Sequence, residues 1–178
     1  METAKTLLSS YYDGGDALDL LRGQHREIDQ LLGALERAAL ARDRSRLICE
    51  VGDLLAVHMA LEERVFFPGL TPTVAASEDR TFVVLAVEDH FEQKRLLSDL
   101  LETGVEDLAF EAAVRRLHDS MSAHLAAEER LFPRLERRVS LSRLRRLAYE
   151  MRVLEFQLRT DAEPRRLVLE DAVASAMA

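Results

Sequence analysis

Apolar residues return every three or four positions along most of this chain. The first stripe is Leu18, Leu21, Ile28, Leu32 and Leu35, with His25 in its middle. That spacing marks one face of an α-helix packed on a core. It predicts a helix over about 16–40, with Asp16 as N-cap after the turn Asp13-Gly14-Gly15. Leu47, Val51, Leu54, His58, Leu61 and Val65 predict a second helix over about 44–68, with Arg42-Asp43-Arg44-Ser45 as the connection and Pro68-Gly69 as the stop. Val83, Ala86 or Val87, His90, Leu97 and Leu101 predict a third over about 78–102, closed by Gly104, with Lys94 oddly placed on its stripe. Val114, Leu117, Met121, His124, Leu131 and Leu135 predict a fourth over about 106–136, where Pro133 marks a kink or boundary near the end. The longest loop opens at Thr71-Pro72-Thr73. Four amphipathic helices joined by short loops give an all-α, up-down-up-down four-helix bundle.

A further stripe follows the bundle: Leu141, Leu144, Leu147, Met151, Leu154 and Leu158. Its start is basic (Arg137, Arg138, Arg143, Arg145, Arg146), and Pro164 separates it from a short last segment. The expected organisation is an N-terminal lead-in at 1–15, the bundle at 16–137 and a C-terminal helical extension at 138–178. Tyr11 and Tyr12 are read as part of the lead-in, the alternative being a cover over the open end of the bundle. The basic extension suits an anionic membrane or a partner. Packing on the bundle, or a homodimer contact through the C-terminal helices, is the preferred reading because Glu150 and Glu155 dilute its charge.

Composition agrees with the helical pattern. The chain has 178 residues, 48% of them apolar, with only 7 Gly and 4 Pro. One folded domain with a sizeable core is expected. The net charge of −8 argues against nucleic-acid binding, which needs an excess of Lys and Arg. The single Cys49 excludes an intramolecular disulfide and any Cys-x-x-Cys site. No secretory signal and no membrane-spanning run is visible, so the expected location is the cytoplasm.

The candidate chemistry lies in a repeat. His58-Met59-Ala60-Leu61-Glu62-Glu63-Arg64-Val65-Phe66-Phe67-Pro68 returns as His124-Leu125-Ala126-Ala127-Glu128-Glu129-Arg130-Leu131-Phe132-Pro133. In a helix, positions i and i+4 share a face, so each run offers an imidazole and a carboxylate together. A lone His, His25 or His90, stands one helix before each run, 33 and 34 residues earlier. Four of the five His and two Glu thus fall on core stripes. A buried ionised carboxylate without a partner costs several kcal/mol. A metal ion offsets that cost, with His supplying neutral nitrogen and Glu supplying charge. The alternative for any single one of these His is a satisfied core histidine. No Glu-x-x-His, His-Glu-x-x-His, Gly-rich phosphate loop or Gly-x-Ser-x-Gly elbow occurs.

On these residues the sequence resembles the hemerythrin-like, or HHE cation-binding, family. The resemblance rests on His25 in Gln-His-Arg-Glu-Ile-Asp, His58 and Glu62 with Phe67-Pro68, His90 in Asp-His-Phe-Glu, and His124 and Glu128 with Phe132-Pro133. It spans roughly 16–136 and implies a hemerythrin-like bundle around a non-haem di-iron centre with an oxo or hydroxo bridge. Carried over, His25 and His58 would bind one iron, His90 and His124 the other, and Glu62 and Glu128 would bridge. These ligand types also suit Mn and Zn. Oxygen-carrying hemerythrins have a further His four residues after the third-helix His, and here that position is Lys94. One more coordination position is then open, which fits reaction with O2, peroxide or NO better than reversible O2 carriage. The expected function is handling or sensing of such ligands, with enzymatic turnover undecided. The alternatives are iron binding or storage without turnover, and a metal-free helical interaction module.

The remaining polar residues are read as follows. Glu63 and Glu129 are expected to be solvated or paired with Arg. Their alternatives are a supporting role around the site or, for Glu129, ligation in place of Glu128. His118 is read as a surface residue and Asp29 as a solvated one; the alternatives are ligation or support at the site, with Asp29 orienting His25. Lys94 is expected to reach the surface with its stem on the core, the alternative being that it points toward the site. The Phe-Pro pairs are expected to pack and stop helix ends without chemistry.

Overall fold

The computed structural model describes residues 15–70, 77–160 (77–79 as backbone only) and 163–168. The lead-in with Tyr11 and Tyr12, the Thr71-Pro72-Thr73 loop and the end of the chain lie outside these residues. All regular structure among the described residues is helical. In chain order the helices are α1 (Ala17–Arg37), α2 (Ala41–Leu61), α3 (Ser77–Glu102), α4 (Phe110–Arg138) and α5 (Leu141–Thr160). None of them is long and apolar enough to cross a membrane.

The helix starts follow from local chemistry. Asp16 caps α1: its carboxylate accepts from the N–H groups of Leu18 and Asp19, while the Asp19 side chain accepts from the Asp16 N–H. Two orphan donors are satisfied at once. Asp16→Ala is expected to cost about 1 kcal/mol, read as a shift of the urea midpoint. α2 begins at Ala41, because the polar run expected to be a loop forms its first turn. Arg44 there donates to the Ala38 carbonyl at 2.7 Å and to Val105 at 3.2 Å. α4 begins late, at Phe110, because the Asp107 side chain accepts from the Ala109 N–H at 2.8 Å and holds a turn. It runs through Pro133 to Arg138 without ending there.

The two His-Glu-Glu runs fold differently at their ends. The first carries Val65-Phe66-Phe67-Pro68 where the second has only Leu131-Phe132-Pro133. The extra residue is taken up as a π-helical turn over Glu62–Phe66, whose closing bond runs from the Phe67 N–H to the Glu62 carbonyl. A wider turn absorbs one added residue without breaking the helix, and such turns concentrate at functional sites. A last α-turn, Phe67–Leu70, follows it.

The core divides into two apolar clusters. One gathers Leu18, Leu21, Leu61, Phe66, Phe132 and Met151. The other gathers Ile28, Leu32, Val51, Leu55, Leu97 and Met121. On each of α1 to α4 the sequence passes from one cluster to the other through buried polar residues: His25, His58, His90 and His124. A polar belt therefore crosses the bundle at one level. α5 packs against α1 and α2 and against the π turn, through Leu144, Leu147, Ala148 and Met151. Gly69 permits the close approach, since a Cβ there would collide with Leu147. The described part of the last segment is pinned by Arg165, which binds Asp53 through its backbone N–H and through Nη1 at 2.9 and 3.1 Å.

Candidate metal centre

The polar belt brings together His25, His58, Glu62, His90, His124 and Glu128, none more than 5% exposed. Helical register explains why. His58 and Glu62, like His124 and Glu128, stand one turn apart on one face, and α1 and α3 add one His each. His25, His58, Glu62 and Glu128 each offer a donor atom within 4.8 Å of the others, and Glu62, His90 and His124 form a second such group. Glu62 belongs to both.

The donor atoms face a shared interior and satisfy one another only in part. Nε2 of His25 lies 3.2 Å from Glu128 Oε2, and Nε2 of His90 lies 3.2 Å from Glu62 Oε2. His58 and His124 approach the Glu of their own helix at 3.5 and 3.8 Å. Yet Nε2 of His25, Nε2 of His58 and all four carboxylate oxygens of Glu62 and Glu128 are buried without a hydrogen-bond partner. Each such group ordinarily costs about 1–3 kcal/mol, so a cluster of them needs a compensating species. Nε2 of His90 and Nε2 of His124 stand 3.1 Å apart. Two nitrogens in adjacent positions about one ion, at roughly 2.1 Å each, would be separated by about 3 Å. The donor set fits divalent or trivalent cations.

Every imidazole is held from outside by its other nitrogen. Nδ1 of His25 donates to Glu129 at 2.9 Å, and Nδ1 of His90 donates to Glu63 at 2.9 Å. Nδ1 of His124 faces the exposed Asp89 at 3.3 Å, and Nδ1 of His58 faces Gln24 at 3.1 Å. The pattern crosses between the repeats. The second Glu of each Glu-Glu pair holds the lone His of the other repeat. The residue just before each lone His holds the His of the following helix. An ionised carboxylate only accepts, so Nδ1 of His25, His90 and His124 carries a proton, and Nε2 is the nitrogen turned inward.

This revises several expectations. Glu63 and Glu129 are not simply solvated: they hold His90 and His25, and Glu129 also lies 3.6 Å from Arg22 Nε. Lys94 does not reach the surface. It is 6% exposed, and its ammonium donates to Glu63 at 3.0 Å, placing a cation behind His90. Asp29 does not orient His25, whose Nδ1 is taken by Glu129. Asp29 lies 3.6 Å from His118, which also meets Glu36 at 3.0 Å, away from the four-His cluster. Neither belongs to the groups of side chains among the described residues that could hold a metal ion. The Phe-Pro pairs are not helix stops clear of the site: α4 continues past Pro133, Phe132 stacks on His25 with centroids 5.6 Å apart, and Phe67 on His90 at 6.0 Å. Gln24 and Asp89 were not anticipated, although each precedes a lone His in the sequence. Gln93 was also missed. It is fully buried with both amide atoms unpaired, one turn on from His90.

The fields inside the cluster are strong. Burial, then the charge of His25, push His58 well below the ordinary imidazole value, so it is neutral. Burial alone would also push His90 down, but Glu62 and Glu63 outweigh it and raise it to about 9. For Glu62 the desolvation is outweighed by His90, so its carboxyl is held low. For Glu128 burial dominates, the charge of Glu62 adds to it, and the carboxyl is pushed up. The His90 shift fixes a sign. In metal-free protein, folding takes up a proton at His90, so this contribution is complete below pH 6.5 and is lost as pH rises through about 9. Metal-free stability is expected to fall over that interval by on the order of 3 kcal/mol at most. Metal affinity should rise over the same interval, since ligation needs neutral imidazole. Urea titrations of chelated protein at three pH values check this; a profile flat in pH would contradict a charged His90.

A family model, the hemerythrin HHE cation binding domain, matches residues 16–109. The chain belongs to the hemerythrin HHE cation-binding family. The match ends before the second His-x3-Glu-Glu run, so for His124 and Glu128 the geometry above is the guide. Among solved structures, the chain is similar to a hemerythrin HHE cation binding domain-containing protein from Mycobacterium kansasii, with 22% identity and a TM-score of 0.71 over 86% of this chain and 97% of that one. At that identity the likeness speaks for the HHE fold. No curated protein matches.

Proposed function

We propose that the chain is a non-haem di-iron protein that binds or reacts with O2, peroxide or NO. His25 and His58 would hold one ion, His90 and His124 the other, with Glu62 and Glu128 bridging. The observation that carries the reading is the set of inward-facing buried donors that have no partner, in a family that binds cations. Two such ions supply Lewis acidity and electron transfer to a small ligand.

The residues around the ions have separate tasks. Glu129, Gln24, Glu63 and Asp89 hold the rings so that Nε2 faces inward. Phe132 and Phe67 wall the His25 and His90 rings. Lys94 stands where oxygen carriers have a fifth His and spends its charge on Glu63, which leaves the centre with more open coordination. Gln93 offers an unpaired buried amide to a small oxygen ligand near His90.

Elemental analysis and absorption spectra test this, taken before and after anaerobic peroxide. About two irons per chain, a charge-transfer band after oxidation, and peroxide consumption above that of free iron are expected. Iron without peroxide, O2 or NO chemistry would favour storage. No iron in protein grown with ample iron would sink the proposal.

A further inference from the structure

The helix that follows the bundle reaches the polar belt through one side chain. Glu155 on α5 accepts from Gln24 Nε2 at 3.3 Å and from Arg159 Nε at 3.1 Å. On the other side of the same amide, Gln24 Oε1 faces His58 Nδ1 at 3.1 Å. Gln24 is 5% exposed and His58 is fully buried, so solvent is kept from the Gln24–His58 bond, while the Glu155 side chain is 23% exposed.

Gln24 differs in kind from the other three outer partners. Glu129, Glu63 and Asp89 can only accept when ionised, and each fixes its ring unaided. An amide can present either end. With Nε2 toward His58, the ring would accept at Nδ1 and carry its proton on Nε2. That proton would point into the centre and block ligation. Something must choose the end, and Glu155 can only accept. It takes the NH2 group, which turns Oε1 toward His58 and puts the proton on Nδ1. Arg159 in turn pairs with the Glu155 carboxylate and holds it in place. Asp89, the counterpart of Gln24 in the second repeat, needs no such chooser.

We propose that Glu155 and Gln24 are positioning residues that hold His58 in the tautomer whose Nε2 lone pair faces the metal centre, making α5 a working part of the site. The consequence for metal rests on the di-iron reading, but the tautomer itself does not.

The test uses the full-length chain with 15N-labelled histidine, stripped of metal and checked for helix content by circular dichroism. Long-range 15N–1H correlation separates the two tautomers. The wild type is expected to show His58 with its proton on Nδ1. Glu155→Gln is expected to keep it, because Arg159 holds the new amide oxygen toward Gln24. Glu155→Ala is expected to move His58 to the Nε2–H form or to a mixture. A chelator challenge of protein loaded with ferrous iron gives the second readout. Glu155→Ala should lose one of the two ions about 10-fold faster than wild type, with the other unchanged. An unchanged tautomer in Glu155→Ala overturns the proposal. A shifted tautomer with both ions leaving at the wild-type rate removes its link to the metal site. A shifted tautomer in a chain that binds no iron in any form leaves the positioning role standing and defeats the di-iron reading.

Discussion

Replacing Glu128 by glutamine should make the metal-free protein more stable, by about 1–3 kcal/mol, while lowering its metal content. Glu128 is 1% exposed, and neither of its oxygens has a hydrogen-bond partner. Burial, then the charge of Glu62, push its carboxyl up from the ordinary value of 4.5, and the nearby His25, His124 and His58 do not make up the difference. A raised carboxyl pKa means the ionised form is worse placed in the fold than in water, so the stability it costs grows as pH rises above 4.5. Glutamine keeps the shape and removes the charge. The same change takes away a charged donor that a neutral amide does not replace at a cation. Urea unfolding of chelated protein near pH 8 gives the first quantity, and elemental analysis after reconstitution gives the second. A glutamate kept only for packing or ion pairing would show the reverse: lower stability and unaltered metal content.

That opposition of signs explains what could and could not be read from the sequence. The period of apolar residues placed all four bundle helices and α5, because a buried stripe is a local property of each helix. The His and Glu that interrupt the stripes were legible for the same reason: they sit where a leucine would stabilise the fold and only a bound species compensates them. Helix ends were less legible. The start of α4 depends on one Asp107 side-chain bond and the start of α2 on Arg44 reaching back to Ala38. The π turn was written in the one-residue difference between the two Phe-Pro runs, but its shape follows only once the helix must continue past the extra residue.

The outer partners were the hardest to foresee, because all four come from a different helix and two from the other repeat. Adjacency along one helix offered Asp29 only as an alternative partner for His25, with a solvated Asp29 the preferred reading. The bond actually comes from Glu129 on α4, 104 positions away, and Asp29 is left to His118. The same long-range crossing makes Glu63 serve His90 and Lys94 together. These contacts couple the repeats. A change at either Glu-Glu pair is felt by the lone His of the opposite hairpin, so the two halves of the belt are one structural unit despite their separate sequences.

A chain ended at Val139 should not fold cooperatively. The boundary near 138 looks natural in the sequence, where the repeat stops and a basic segment begins, and we propose that it is not a boundary in stability. α5 buries Leu144, Leu147, Ala148 and Met151 to 2% exposure or less, against apolar surface from α1 and the end of α2. Each large apolar side chain so buried contributes roughly 1.5–3 kcal/mol. The three largest together approach the whole net stability of a typical domain, about 5–15 kcal/mol. Truncation also removes cover from apolar side chains of the same cluster, Phe66 and Leu70 among them. Removing only the segment after Thr160 is a far smaller change, losing the Arg165–Asp53 pair and the Val168 contact. Far-UV circular dichroism, urea unfolding and limited proteolysis of the two truncated chains separate the cases. The shorter chain should show a broad or absent transition and rapid cleavage, and the longer one a sharp transition at lower urea than the full chain. A 1–139 chain that unfolds sharply at the full-length midpoint would make the four-helix bundle self-sufficient and reduce α5 to an appendage.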